Sequence, residues 1–102
     1  MNYENDRLSK IKENELKALF FIKYLKPDYA IKILEENIAI NTESSLTYDI
    51  LIKIYENKKD YHSLINTLNQ AIKYTTKKDF YRKIKKQLII AKFISQFNKI
   101  SS

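Results

Sequence analysis

The sequence predicts an all-α protein, five helices arranged as an array of antiparallel hairpins in a single domain spanning residues 1–102. Three observations carry this. Apolar residues recur at i, i+3, i+4 and i+7 through most of the chain, the rhythm of a helix with one buried face. Glycine is absent and proline occurs once, which disfavours sheets joined by tight hairpins, because those turns rely on glycine at positive φ. The polar breaks between periodic stretches are short, and short connections set successive helices side by side in opposite directions.

The first helix is expected over 6–25, with Leu8, Ile11, Leu16, Leu19, Phe20, Ile22 and Tyr24 on its apolar side and Glu13–Lys17 as a supporting i, i+4 ion pair. Pro27 stops it, since the residue before a proline is pushed out of the α region. Asp28 is placed to cap a second helix over 28–40 that buries Ala30, Ile31, Ile33, Leu34 and Ile38. Asn41-Thr42-Glu43-Ser44 is a polar break with several side chains able to cap.

A third helix, 45–57, carries Tyr48, Leu51 and Tyr55, a stripe widened by Ile50, Ile52 and Ile54. After Asn57-Lys58-Lys59, Asp60 is the expected N-cap of a fourth helix over 60–75 that buries Tyr61, Leu64, Ile65, Leu68, Ala71 and Ile72. Thr76-Lys77-Lys78-Asp79 reads as a capping box, with Asp in place of Glu, opening a fifth helix over 78–97.

The hairpin from Ser45 to Thr76 resembles a tetratricopeptide (TPR) repeat, a 34-residue helix–turn–helix unit. Tyr48, Leu51, Tyr55, Tyr61, Leu68 and Ala71 are of the types that family carries at those spacings. Ile52, Leu64 and Thr76 depart from its preferences for a small residue, alanine and proline. One repeat length earlier, Ala18, Phe21, Ala30 and Leu34 fit while Asn14 and Lys17 do not. About one length later, Tyr81, Ile84 and Leu88 fit with one residue fewer. The resemblance implies a non-enzymatic scaffold whose first helices line a groove for peptides, here with Asp49, Lys53 and Glu56, then Arg82, Lys86, Ile89 and Ile90. The Lys and Asn pattern by which chaperone-binding members clamp a terminal carboxylate is not matched, so an acidic and apolar partner is expected instead.

The fifth helix has two apolar sides. Phe80, Tyr81, Ile84, Leu88 and Ala91 cluster on one; Ile89, Ile90, Phe93, Ile94, Phe97 and Ile100 lie roughly opposite, with Arg82, Lys83 and Lys86 on that second side earlier. A contiguous stripe of this kind calls for a cover. Either the chain bends between Ala91 and Ser95 and folds the stripe onto its own core, or the stripe contacts another chain, a different protein or a second copy. Lys53, Arg82, Lys86, Ile89, Ile90, Phe93 and Phe97 are the expected protein-binding residues.

Charge is uneven. Residues 1–51 carry net −2 and residues 52–102 net +9, together +7, and Asp79 is the one acid after Asp60. The basic half steers acidic partners, or is simply a solvated lysine face. A nucleic-acid binder is the alternative function: Lys73, Lys77, Lys78, Arg82, Lys83, Lys85 and Lys86 cluster around one helix start and suit phosphates. Against base-edge reading, Arg7 and Arg82 are the two arginines. A membrane-surface role for 82–100 is opposed by basic and apolar residues sharing a side rather than segregating.

Other chemistries have little support. There is no cysteine, and no glycine-rich phosphate loop or HExxH spacing. His62 is the sole histidine, in the first turn of a helix, a surface or capping position rather than a base with an orienting partner. Glu35, Glu36 and Glu43 are scattered by helix spacing, so no metal ligands converge. No cofactor is expected. The polar, mixed-charge N-terminus is unlike a signal peptide, and the longest apolar runs, 18–22 and 88–91, are far short of a membrane span, so a soluble cytoplasmic setting is the default expectation.

Overall fold

The structure is a computed structural model that describes residues 3–101, with side chains through Lys99. Among the described residues there are five helices and no strand: α1 (Tyr3–Lys23), α2 (Pro27–Ala39), α3 (Ser45–Lys58), α4 (Tyr61–Tyr74) and α5 (Lys78–Ser101). The all-α expectation holds, with most helix ends within one or two residues of those read from the sequence. α1 starts three residues earlier than expected, and α5 runs four residues further, because nothing between Lys92 and Ser101 is a helix breaker.

With no glycine to end the helices, three other residues take the left-handed conformation: Leu25 (φ 59°), Asn41 (φ 56°) and Lys59 (φ 57°). Each closes its helix by the same pair of bonds, a Schellman arrangement. Leu25 N–H donates to Ile22 O and Lys26 N–H to Phe21 O, at 3.0 and 2.8 Å. Asn41 N–H donates to Ile38 O and Thr42 N–H to Asn37 O, at 2.9 and 3.1 Å. Lys59 N–H donates to Glu56 O and Asp60 N–H to Tyr55 O, at 3.1 and 3.0 Å.

Helix starts follow the sequence less closely. Asp60 caps α4, its Oδ1 accepting from Ser63 N–H at 3.1 Å, and hydrogen bonding from the Ser63 side chain, then from its backbone, holds the Asp60 carboxyl below its ordinary pKa. Asp28 does not cap α2. Pro27 occupies the first helical position, so Asp28 already lies inside the helix, where it pairs with Lys58 at 2.7 Å. The capping box at Thr76 is out of register: Lys78 is the first helical residue and Lys77 O accepts from Tyr81 N–H at 2.9 Å, one residue later than a cap at Thr76 requires.

The core runs along α3, the most buried helix, where Tyr48, Ile50, Leu51, Ile52, Ile54 and Tyr55 are all enclosed. Ala30, Leu34 and Asn37 on α2, and Leu64, Leu68 and Ala71 on α4, are buried at positions 34 residues apart. Ile84 and Ala91 seat α5, with Phe80 and Leu88 packed beside them. Each helix packs chiefly on its neighbours in sequence, and the molecule extends 54 × 32 × 20 Å.

α1 corrects the sequence reading. Its buried face is Ile11, Asn14, Glu15 and Ala18, while Leu8, Leu16, Leu19, Phe20 and Tyr24, expected inside, are exposed. Two features favour this rotation. Ala18 and Ala30, both fully buried, lie where large side chains would hold α1 and α2 apart. The polar residues that turn inward are also satisfied. Asn37 accepts from Asn14 Nδ2 at 2.9 Å and donates to Ile11 O and Thr47 Oγ1, each at 3.0 Å. Thr47 in turn donates to Glu15 at 2.7 Å, and Ser44 Oγ donates to the same carboxylate. Buried polar groups paired this fully escape the cost of desolvation.

Candidate functional site: an uncovered apolar stripe on the fifth helix

α5 is one uninterrupted helix, so the chain does not bend between Ala91 and Ser95. At about 1.5 Å per residue its 24 residues span roughly 36 Å, against roughly 21 Å for the 14 of α4. The last turns therefore extend past the helix that covers it, and every side chain from Gln96 to Lys99 is exposed. Ile89, Ile90, Phe93 and Phe97 are 69%, 56%, 68% and 59% exposed. Phe93 lies nine residues from buried Ile84, about 180° around the helix, so no rotation can bury both. The Phe93 and Phe97 rings stack with centroids 6.5 Å apart. Ile94 is half-buried and turns away from the stripe; the Ile100 side chain lies outside the described residues.

The basic members are arranged around this stripe. Arg82 and Lys86 are exposed on the same side, two turns and one turn before Ile89. Lys53 belongs to α3 and reaches α5 through a shared acid: Asp49 pairs with Lys53 at 3.2 Å and with Lys83 at 3.3 Å. Lys83 also lies over the Phe80 ring and Lys85 over the Tyr81 ring, at 5.9 and 5.3 Å. Arg82 and Lys85 line a shallow hollow with Thr75, Thr76, Lys78 and Tyr81. Of the expected site residues, α5 thus unites six along one side, and Lys53 stands apart on α3.

Beside the stripe is a hollow of about 150 Å³, lined by Glu56, Tyr61, Leu64, Gln87, Ile90, Ala91 and Ile94. Gln87 Oε1 is buried there without a hydrogen-bond donor among the described residues. Sequence reasoning missed Gln87, because a glutamine between two apolar stripes reads as surface.

It also missed a second apolar surface at the other end of the molecule. Leu16, Phe20 and Tyr24 are exposed on α1, and Leu16, Lys17, Phe20, Phe21 and Ile33 line a hollow between α1 and α2. The legible signal was the row Ile11, Asn14, Glu15, Ala18, which has helical spacing but mixed polarity.

His62 is exposed, 3.4 Å from Asn66 Nδ2. Among the described residues no group of three or more His, Cys, Asp or Glu could hold a metal ion, and no helix is long and apolar enough to cross a membrane. No protein family, curated protein or solved structure matches this chain.

Proposed function

We propose that this chain is a non-enzymatic protein-interaction module, a TPR-like array of antiparallel hairpins that binds a protein partner or a second copy through α5 and the adjoining groove. The observation that carries the reading is the exposed stripe of Ile89, Ile90, Phe93 and Phe97 on a helix whose other side is already buried. A contiguous apolar surface with a basic rim is the composition of an interaction site.

The hairpin geometry is supported from two directions. Arg7, near the start of α1, donates to the carbonyls of Ile40 and Asn41 just past the end of α2, while Phe21, near the end of α1, stacks on Tyr29 at the start of α2. The 34-residue period is supported by the buried positions shared by α2 and α4, and by Leu25 and Lys59, 34 residues apart, closing α1 and α3 alike. Asp49 and Lys83, also 34 apart, meet across α3 and α5, as successive first helices of such an array would.

Placing a photo-crosslinking phenylalanine analogue at Phe93, in cells that make the protein, tests this. The module gives a discrete protein adduct at Phe93 that is absent when the analogue replaces Lys59 on the opposite turn. No adduct at Phe93, or the same adducts at both positions, overturns it. The basic hollow around Arg82 and Lys85 favours nucleic acid as the second reading. That reading requires binding to a random duplex that weakens steeply with salt and with Arg82→Ala.

A further inference from the structure

We propose that α5 binds an acidic amphipathic helix of another protein, laid along the row Arg82, Lys86, Ile89, Phe93 and Phe97. The partner's carboxylates meet Arg82 and Lys86, and its apolar residues meet Ile89, Phe93 and Phe97. This rests on reading α5 as a contact surface and names its occupant.

The row has the geometry of a helix–helix seam. Arg82, Lys86, Ile89 and Phe93 follow one another at the four-three-four spacing that keeps a seam facing a partner helix. With Phe97 they lie within roughly 40° of Phe93 around the helix. From Arg82 to Phe97 the row runs about 22 Å, or about four turns, which sets the length of the partner helix. All five residues are exposed. An extended peptide fits this surface poorly. The backbone of α5 is spent within the helix and offers no ladder, so an extended chain would leave its own N–H and C=O groups without partners against Ile89 and Phe93. A helix satisfies its backbone internally and meets the row with side chains alone. Beside the row, the hollow walled by Leu64, Ile90 and Ile94 gives the partner a socket for an apolar anchor.

Charge selects the occupant. α5 contains seven bases and one acid, Asp79, net +6. The neighbouring bases off the row are already engaged: Lys83 pairs with Asp49 on α3, and Lys85 lies over the Tyr81 ring. Among the described residues neither Arg82 nor Lys86 has an ion-pair or hydrogen-bond partner. Two unpaired cations in line with an apolar stripe complement a helix on which acids precede or follow apolar residues along one face. A second α5 in that place would set +6 against +6. A nucleic-acid backbone would match the cations and leave Ile89, Ile90 and Phe93 uncovered. A lipid surface that took up Ile89 and Phe93 would draw in the cations of the same row.

The phenylalanine analogue at Phe93, crosslinked in cells that make the protein, tests this once mass spectrometry maps the partner residue it reaches. The expected adduct lies in a segment whose carboxylates recur three or four residues apart, with apolar residues continuing the same face one to two turns away. A synthetic peptide of that segment binds the purified 102-residue chain and becomes helical by circular dichroism as it binds. Arg82→Glu with Lys86→Glu, which removes no buried contact, weakens this binding about tenfold at low salt and less at high salt. Replacing the peptide's carboxylates with lysine weakens binding to the wild-type chain equally and restores it to the variant.

An adduct with a second copy of this chain, with a segment lacking acids, with nucleic acid or with lipid overturns the proposal. So does a peptide that fails to bind, binds without becoming helical, or ignores both charge reversals. Where Phe93 crosslinks to a protein of the wrong chemistry, the interaction-module reading stands without this one; if it crosslinks to no protein, both fall.

Discussion

Asn37 is the most consequential polar residue in the fold. Asn37→Ala deletes three hydrogen bonds of 2.9–3.0 Å at a fully buried position. Ile11 O keeps a second lone pair and Thr47 keeps its bond to Glu15, but Asn14 Nδ2 is stranded inside without an acceptor. At about 1 kcal/mol for each of the three bonds, plus about 1–3 kcal/mol for a stranded buried donor, the loss comes to about 4–6 kcal/mol. A domain of this size is stable by about 5–15 kcal/mol, so the substitution removes about a third or more of the total. In urea unfolding followed by circular dichroism, a slope of about 1.5–2 kcal/mol/M makes this a midpoint fall of about 2–4 M. Asn14→Ala relieves the stranded donor, so the double variant costs about 1 kcal/mol less than the two singles together. A loss below about 1 kcal/mol for Asn37→Ala, or strict additivity, would refute the network's role in setting the rotation of α1.

Further substitutions probe the same logic elsewhere. Leu25→Gly frees an exposed residue from left-handed strain and raises stability by about 0.5–1 kcal/mol, measured as a higher urea midpoint. Asp60→Ala removes the α4 cap and costs about 1 kcal/mol at neutral pH. Because the folded carboxyl titrates below its ordinary value, that contribution is full above about pH 4 and disappears as pH falls through the lowered pKa, so wild type and variant converge in acid. Burial pushes the Tyr48 phenol up to about 12, and burial with the bond to Glu35 pushes Tyr55 up as well. Raised folded pKa values stabilise fully below the ordinary phenol value of about 10 and are lost above it, so unfolding titrations show stability falling as pH climbs past 10. Phe93→Glu with Phe97→Glu leaves the urea midpoint within the equivalent of about 0.5 kcal/mol for each position while removing association.

α3, α4 and the start of α5 were legible because their apolar residues alone have helical spacing: Tyr48, Leu51 and Tyr55, then Leu64, Leu68 and Ala71, are inside as expected. α1 was misread because it has more apolar residues than one face can bury. Periodicity favours Leu16, Leu19 and Phe20, whereas the choice is made by a small pair, Ala18 and Ala30, and by Asn14 and Glu15. The partners of those polar residues, Asn37, Ser44 and Thr47, come from more distant segments, so the local pattern holds no sign of them. Ala18 and Phe21, absent from the apolar side expected for α1, are buried and half-buried. Helix starts failed where backbone geometry outranked composition. Pro27 took the first position of α2 from Asp28, and α5, which starts at Lys78 as expected, is preceded by Lys77 rather than Thr76 at the cap position. The α5 stripe was visible in the sequence because an apolar row opposite a buried row needs no tertiary information. Its neighbouring hollow was not, since Glu56, Tyr61 and Gln87 meet only through packing.

The central claim is that the α5 stripe is a surface for another chain rather than a solvated helix face. Light scattering of the 102-residue chain beside the Phe93→Glu/Phe97→Glu variant, at low and high salt, tests it most directly. The account predicts a wild-type mass above that of one chain or, where the mass is that of one chain, a discrete protein crosslink from Phe93, and in either case a variant mass of one chain with the same helical content. Equal masses for the two proteins across the concentration range, together with no protein crosslink from Phe93, would contradict it.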